Sequence, residues 1–417
     1  MSDALLPKKE RIRGTRCLAC AAEHPYEPQP YRCRRCGGIQ DVLWDDARLA
    51  RHFTRAVLGE RRQRDIWRYR ELLPVEDETH LTPLRVGCTP LYETPALRRE
   101  LGFASLYVKD DGVNPTGSYK DRASAVGVAA ALDAGCRAGA CASTGNAASS
   151  FAGIGASMGL DTIVFVPKNA PAPKLTQLLL FGARVFSVEG DYDQTYDLCE
   201  QAIAAQGWYN RNAAVNPFLV EGKKTAAFEI AEDLGFEPPD VCVVAVGDGC
   251  IVSSLYKGFQ QFRALGLTSR VPRLLGVQAA GADALVRAFE SGASPAPVRP
   301  NSYADSINVG RPRNALKALE AIRLSAGAFV RVEDEAIREA QRVLSRTAGV
   351  FGEPAGVAGL AGLLVARERR LVEPRERIVV LVTGNGLKDV DGARSAAGEA
   401  MRVGPHLEDL RVHLSPG

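Results

Sequence analysis

The chain has 417 residues, 46% of them hydrophobic and 24% charged, which suits a globular protein of two or three domains with a full-sized core. A formal net charge of +3 is too small at this length to point to nucleic acid or a membrane surface as partner. No apolar run approaches the ~18 residues of a membrane span. The opening MSDALLPKKERIRG has charge but no apolar stretch behind it, so a cytoplasmic location is expected.

Residues 12–45 form a first unit. Cys17 and Cys20 make one C-x2-C knuckle; Cys33 and Cys36, followed by Gly37 and Gly38, make a second after twelve intervening residues. Two such knuckles can give tetrahedral thiolate coordination with no open position, the pattern of structural zinc. A unit this short buries too little core to fold alone, so the metal would supply its folding energy. The other six cysteines (Cys88, Cys136, Cys141, Cys199, Cys242, Cys250) are scattered in apolar or glycine-rich sequence and read as core filler.

Residues 46–80 are rich in Arg and Glu, with Leu49, Phe53 and Val57 at helical spacing, and predict a linker helix. Beyond about residue 85, short apolar runs alternate with small-residue helical stretches. The runs are LYVK at 106–109, TIVFVP at 162–167, RVFSVEG at 184–190, VCVVAVG at 241–247, RLLGVQA at 273–279 and RIVVLVTG at 377–384. This alternation predicts βαβ units around parallel sheet, with β-branched runs such as IVVLV buried on both faces. The tail after about residue 403 is expected to be peripheral.

Four turns between such strands and helices carry candidate chemistry. In NPTGSYKDR, Asn114 to Arg122, Lys120 stands where a strand hands over to an alanine-rich helix predicted from Arg122. A lysine nucleophile there needs burial or a neighbouring cation to lower its pKa; an ordinary surface lysine is the bland alternative. In ASTGNAASS, Ala142 to Ser150, small residues let helix-terminal amides approach a carboxylate, or simply form a capped turn. In VGDGCIVSS, Val246 to Ser254, a glycine-rich loop at a helix N-terminus suits a phosphate. Asp248 would repel that phosphate unless turned away. In TGNGLKD, Thr383 to Asp389, the Thr383 hydroxyl can bond a pyridine nitrogen.

Together, in this order, these segments resemble the threonine synthase family of fold-type II pyridoxal phosphate enzymes. VGCTPLY (86–92), VPKNAPAPKLTQLLLFGARV (166–185), VNPFLVEGKKTAAFEI (215–230) and FGEPAG (351–356) match as well, so the resemblance covers nearly the whole chain. It implies a tryptophan synthase beta-like α/β fold: two open α/β domains with the cofactor in the cleft, plus an N-terminal zinc ribbon. The expected division is 1–45 for the ribbon-like unit, 46–120 for the linker and start of the large domain, 121–210 for a smaller mobile domain and 211–417 for the large cofactor-binding domain. The resemblance further implies that Lys120 carries pyridoxal 5'-phosphate as a Schiff base and shuttles protons. Asn146 would meet the ring oxygen; Gly247, Asp248, Gly249, Cys250 and Ile251 would wrap the phosphate; Thr383 would meet the ring nitrogen. Ser143, Thr144 and Gly145 would take the carboxylate of a small amino-acid substrate, and a homodimer is expected.

The chain departs from the family where substrate phosphate is gripped. Asp248 and Ile251 stand at or near positions of asparagine. Ala147 follows the asparagine of STGN, and the family's N-S-x-N-P-x-R reads AAVNPFL, with Ala213, Ala214 and Leu219 in place of Asn, Ser and Arg. A dianion deprived of its arginine loses a charge-assisted pair worth ~1.5–3 kcal/mol. We therefore expect elimination or replacement at the β or γ carbon of an amino acid other than ordinary O-phosphohomoserine, or one whose phosphate is held differently. Lys223, Lys224, Arg311 and Arg313 are the nearby basic residues that could form another anion site. The alternatives are a genuine threonine synthase, a cysteate synthase-like β-replacing enzyme, an ammonia-lyase and, outside catalysis, a scaffold using the basic cysteine unit.

Overall fold

The apolar runs fold as sheet strands. The computed structural model describes residues 6–170 and 172–414. Its thirteen strands are β1 (Ile12–Cys17), β2 (Glu23–Pro25), β3 (Gln40–Trp44), β4 (Leu91–Glu93), β5 (Ser105–Asp110), β6 (Ala138–Ala142), β7 (Asp161–Pro167), β8 (Arg184–Val188), β9 (Tyr209–Asn210), β10 (Val241–Ala245), β11 (Arg273–Ala279), β12 (Ala328–Val332) and β13 (Arg377–Val382). They form a small N-terminal sheet ordered β2-β1-β3, a six-stranded sheet β12-β11-β10-β13-β5-β4 and a four-stranded sheet β8-β7-β6-β9.

The four-stranded sheet is parallel, and in the six-stranded sheet only β4 runs antiparallel to its neighbour. All five residues of β10 are buried, as expected of a central strand covered on both faces. The glycine-rich helix Pro354–Glu368 packs across β10 to β13 on one face. All six predicted strands are present. VCVVAVG, RVFSVEG and RIVVLVTG stop short of their glycines, at Ala245, Val188 and Val382, because those glycines begin the following turns.

Strands β4, β6, β9 and β12 were not legible in sequence. β6 is AGACA, with little β propensity of its own. It is a strand because β7 and β9 pair with it on either side and because its small side chains admit Phe151, which a Cβ at Gly139 would meet at 2.9 Å.

The expected linker helix over 46–80 is instead four short pieces: Asp46–Leu49, Arg55–Glu60, and 3-10 turns at Ile66–Leu72 and Glu78–His80. Each begins anew because a polar side chain caps it. Asp45 accepts from Arg48 N, Thr54 from Val57 N, Asp65 from Trp67 N and Asp77 from Thr79 N, and such caps start helices instead of continuing them. Leu49, Phe53 and Leu58 are buried anchors of the first part, and Ile66, Tyr69 and Leu72 of the first 3-10 turn. After residue 403 the described residues are exposed, including the helix Leu407–Leu414. No helix of the described residues is long and apolar enough to cross a membrane.

Candidate active site

Close helix packing positions Lys120. The helix Lys120–Asp133, which starts two residues before the predicted Arg122, lies against the helix Phe218–Lys223. A Cβ at Gly222 would collide with the Arg122 carbonyl, and one at Gly127 would press on Leu219; glycine at both positions is what allows the approach. The turn before Lys120 is pinned as well. Thr116 N donates to Asp121 at 2.7 Å, Tyr119 N donates to the Thr383 carbonyl at 2.9 Å, and the Tyr119 hydroxyl donates to the Lys223 carbonyl at 2.6 Å. Lys120 is thereby aimed into a cleft between the two large sheets. Burial holds its amine below the ordinary lysine range; Glu353 opposes this and Arg211 adds to it. A lysine so placed is neutral, and nucleophilic, at lower pH than a surface lysine.

The predicted site residues converge on this cleft. Ser143, the loop Gly247–Ile251 and Thr383 line one lobe with Lys120. Thr144, Gly145 and Asn146 line an adjoining lobe that Lys120 and Ser143 also reach. The Thr383 turn is held to both flanking segments: Asn385 N donates to the Gly117 carbonyl, and Glu353 N to the Gly384 carbonyl, each at 2.9 Å. Gly249 has φ +89°, a conformation that side chains resist, and the helix Cys250–Ala264 starts there without a side-chain cap. Its first-turn amides are left to meet an anion. The Asp248 carboxylate accepts from Arg313 N at 3.0 Å and lines the cleft, where its charge acts on Lys120 and Lys223.

Two residues of the cleft were missed in sequence. Glu353, from FGEPAG, accepts a 2.7 Å hydrogen bond from the Asn146 side-chain amide. Burial raises its pKa, while the Asn146 bond and the Lys120 charge work against that rise. Arg211 is wholly buried and lines the cleft beside Lys223. Its only sequence signal is a charge two residues ahead of the stretch AAVNPFL.

The substituted phosphate-grip positions do not stay together. Ala147, Ala213 and Ala214 line the cleft, but Leu219 is buried and faces Gly127 in the helix interface. Of the four basic residues considered from sequence, Lys223 lies in the cleft with its amine unbonded. Lys224 instead pairs with Glu221 and sits 4.2 Å from the centre of the Trp44 ring. Arg313 stacks on Tyr196, 4.3 Å from the ring centre, and pairs with Asp193 at 2.9 Å. Arg311 lines the outer cleft.

The four N-terminal cysteines come together away from the cleft. Their sulfurs all lie within 4.8 Å of one another, with Cys17 to Cys36 at 3.4 Å and Cys20 to Cys33 at 3.7 Å. Tetrahedral zinc–thiolate bonds of ~2.3 Å require sulfurs roughly 3.8 Å apart, so the cluster fits that ion with little movement. The unit is docked firmly on the rest of the protein. Trp44 Nε1 donates to Glu221 at 2.9 Å, and Asp41 pairs with Lys257 at 2.9 Å and Lys317 at 3.0 Å.

A family model described as pyridoxal-phosphate dependent enzyme matches residues 83–384. The chain is similar to a protein named threonine synthase from Methanocaldococcus jannaschii, with 40% identity over 391 residues, covering 93% of this chain and 96% of the relative. It is also similar to one of the same name from Methanosarcina acetivorans, with 37% identity over 400 residues, covering 95% and 97%. Among solved structures, threonine deaminase isoform 2 from Solanum lycopersicum superposes with a TM-score of 0.62 at 19% identity, covering 75% of this chain and 88% of that one. Diaminopropionate ammonia lyase from Escherichia coli superposes with a TM-score of 0.63 at 19% identity, covering 74% and 86%; at such identities these two likenesses concern the fold.

Proposed function

The chain belongs to the pyridoxal-phosphate dependent enzyme family, and from that premise we propose that it catalyses elimination or replacement at the β or γ carbon of an amino acid, with Lys120 as the coenzyme-bearing residue. The enzyme is threonine synthase-like and has the fold-type II α/β architecture. The observation that carries the assignment of Lys120 is a half-buried lysine at a helix start, its amine below the ordinary lysine range, in the cleft reached by all the other candidate residues.

The residues present fit the coenzyme. The Lys120 amine suits its aldehyde, the uncapped helix behind Gly249 its phosphate, Thr383 its ring nitrogen and Asn146 its ring oxygen. Bound there, pyridoxal phosphate supplies an electron sink for charge developing on the substrate's carbon. The chain's own work is then positional and acid–base. The turn Ser143–Gly145, at the head of the helix Asn146–Met158, takes the substrate carboxylate. Lys120 Nζ takes the α-proton and returns it, a task suited to an amine poised below its usual pKa. Thr383 is a neutral partner for a ring nitrogen and does not force it to stay protonated. The four-cysteine unit holds a structural zinc, with no position open for water.

A second reading, threonine synthase proper, is favoured by the names of the relatives at 37% and 40% identity. A panel of O-phosphohomoserine, O-phosphoserine, O-acetylserine and free hydroxy-amino acids, followed by product analysis, tests both. Phosphate and threonine released from O-phosphohomoserine select the second reading. Turnover of another member selects replacement or elimination on that substrate. No turnover across the panel removes the functional assignment.

A further inference from the structure

The cysteine cluster has a neighbour beyond its own sulfurs. His24 Nε2 lies 3.2 Å from Cys33 Sγ. The other side-chain contacts of the cluster run between cysteines, Cys17 with Cys36 and Cys20 with Cys33. Among the described residues, Cys33 is thus the one candidate ligand met by a side chain of another kind. The fold makes room for this contact. The first knuckle ends at Ala21, with φ +56°, as the second ends at Gly37, with φ +72°; a side chain in that conformation costs roughly 1–2 kcal/mol. The chain then enters β2, where His24 pairs with Thr15 of β1. Beside that pair Gly14 has φ +150°, and a Cβ there would meet the His24 carbonyl oxygen at 2.0 Å. Glycine is what lets the two strands come this close.

The chemistry of sulfur assigns the proton. A thiolate on zinc carries none, so its remaining lone pairs can only accept. The 3.2 Å contact then requires the imidazole Nε2 to hold the hydrogen and donate it. Four thiolates around one zinc ion leave the centre with excess negative charge, and a donor to sulfur stabilises it. Side chains of the nearby arginines are drawn elsewhere: Arg34 pairs with Glu27, and Arg32 faces Glu200 at 4.0 Å. Backbone amides of Arg35 and Cys36 reach the Cys33 sulfur from within its own knuckle; His24 adds a donor from another strand. Cys33 is only 3% exposed, so water is a poor substitute for that donor.

We propose that His24 donates from Nε2 to the zinc-bound Cys33 thiolate and so holds the second knuckle on the metal. The inference rests on the four-cysteine unit holding zinc, and it adds a protein group outside the coordinating set. The role is hydrogen bonding and not ligation, since the four sulfurs already fill a tetrahedral ion.

The test uses the full-length protein loaded with zinc, or with cobalt(II) as its spectroscopic stand-in. His24→Phe keeps a ring and removes the donor. His24→Gln places an amide Nε2 the same number of bonds from Cα and keeps one. Competition with a chromophoric chelator should show zinc held about 10–100-fold less tightly in His24→Phe, with most of the affinity kept in His24→Gln. In the cobalt form, the thiolate-to-metal charge-transfer band should move to longer wavelength in His24→Phe alone, because an unbonded sulfur lone pair lies higher in energy. A packing role would not move that band. In wild type, histidine-selective nitrogen NMR should find His24 protonated at Nε2 when zinc is bound, a reading that needs no variant to fold. Unchanged zinc affinity and cobalt spectrum in His24→Phe overturn the proposal, as does a bare Nε2 in zinc-loaded wild type. Cobalt bands typical of three sulfurs and one nitrogen overturn it too, by making His24 a ligand. A wild type that binds no metal sinks the zinc reading itself, and this proposal with it.

Discussion

The side-chain amide of Asn146 donates to the carboxyl of Glu353 at 2.7 Å, tying the turn after β6 to the segment leading into the helix Pro354–Glu368. The bond spans the cleft floor between the two large sheets. It also holds Glu353 where its charge acts on Lys120.

The Glu353 carboxyl is raised from an ordinary value of 4.5, by burial first, against the Asn146 bond and the charges of Lys120 and Lys388. A carboxyl whose folded-state pKa is raised contributes stability that is complete below its unfolded pKa and is lost as pH rises through the folded value. Glu353→Gln keeps an acceptor for Asn146 and removes that loss. The variant should therefore melt higher than wild type at pH 7, with the gap closing towards pH 4. Parallel melting profiles for the two proteins over this range would contradict the assignment.

Lys120→Ala should fold, since the turn around it is held by Thr116, Tyr119 and Asp121 through bonds that do not involve its amine. It should lose the visible coenzyme band that borohydride fixes covalently in wild type. Turnover should fall by about 10²–10⁴-fold or more, the usual contribution of a positioned acid–base group. Mass spectrometry of the reduced wild-type protein should locate the adduct on the peptide containing Lys120. An adduct on Lys223 or Lys109 would refute this.

Glu229 is central to a buried ion network, paired with Lys109 at 2.9 Å and with Arg122, which also pairs with Asp111 at 2.6 Å. Burial alone would raise its pKa, but Arg122 and Lys109 outweigh burial and hold it well below the usual carboxylate range. Stability from this source is therefore present above the unfolded carboxylate range and lost as pH falls below it. Glu229→Gln takes one carboxylate partner from each of two buried cations, leaving Arg122 with Asp111 and Lys109 with Asp233, and should cost up to about 3–5 kcal/mol, seen as a lower denaturation midpoint at neutral pH. A wild-type-like midpoint would show that the network adds little.

Wild-type protein should carry one zinc per chain by elemental analysis, and Cys33→Ser should abolish it. Metal bound only by the folded state stabilises by mass action, about 2.7 kcal/mol at a hundredfold excess over Kd. A chelator should accordingly lower the melting temperature. The coenzyme band should survive at moderate temperature, because no cysteine of the cluster lines the cleft. Full melting behaviour in protein stripped of metal would leave the cluster without the role proposed.

Local sequence carried a large part of this architecture. Unbroken runs such as IVVLV and VCVVAV are recognisable as buried parallel strands because their burial on both faces requires apolar residues throughout. The small-residue turns following them are recognisable because backbone approach to a ligand excludes side chains. The cysteine cluster was legible for a similar reason, its geometry being set by short local spacing. AGACA was not, since its strand character comes from the partners on either side. The supposed linker helix was misread because periodic apolar anchors do not reveal that Asp45, Thr54, Asp65 and Asp77 each cap a new start.

The amino-acid sequence by itself determined the α/β alternation, the lysine at the head of its helix and the four thiols. The first two depend on residues within a few positions of one another, and the thiols on two C-x2-C pairs twelve residues apart. Only the tertiary structure decided which charges share the cleft. It moved Leu219 into a helix interface, brought Arg211 and Lys223 to one cleft with neither in an ion pair among the described residues, and set Glu353 against Asn146, 207 positions away in the chain. The reason is physical: electrostatic pairing depends on distance and dielectric after folding, and neither is encoded in a residue's immediate neighbours.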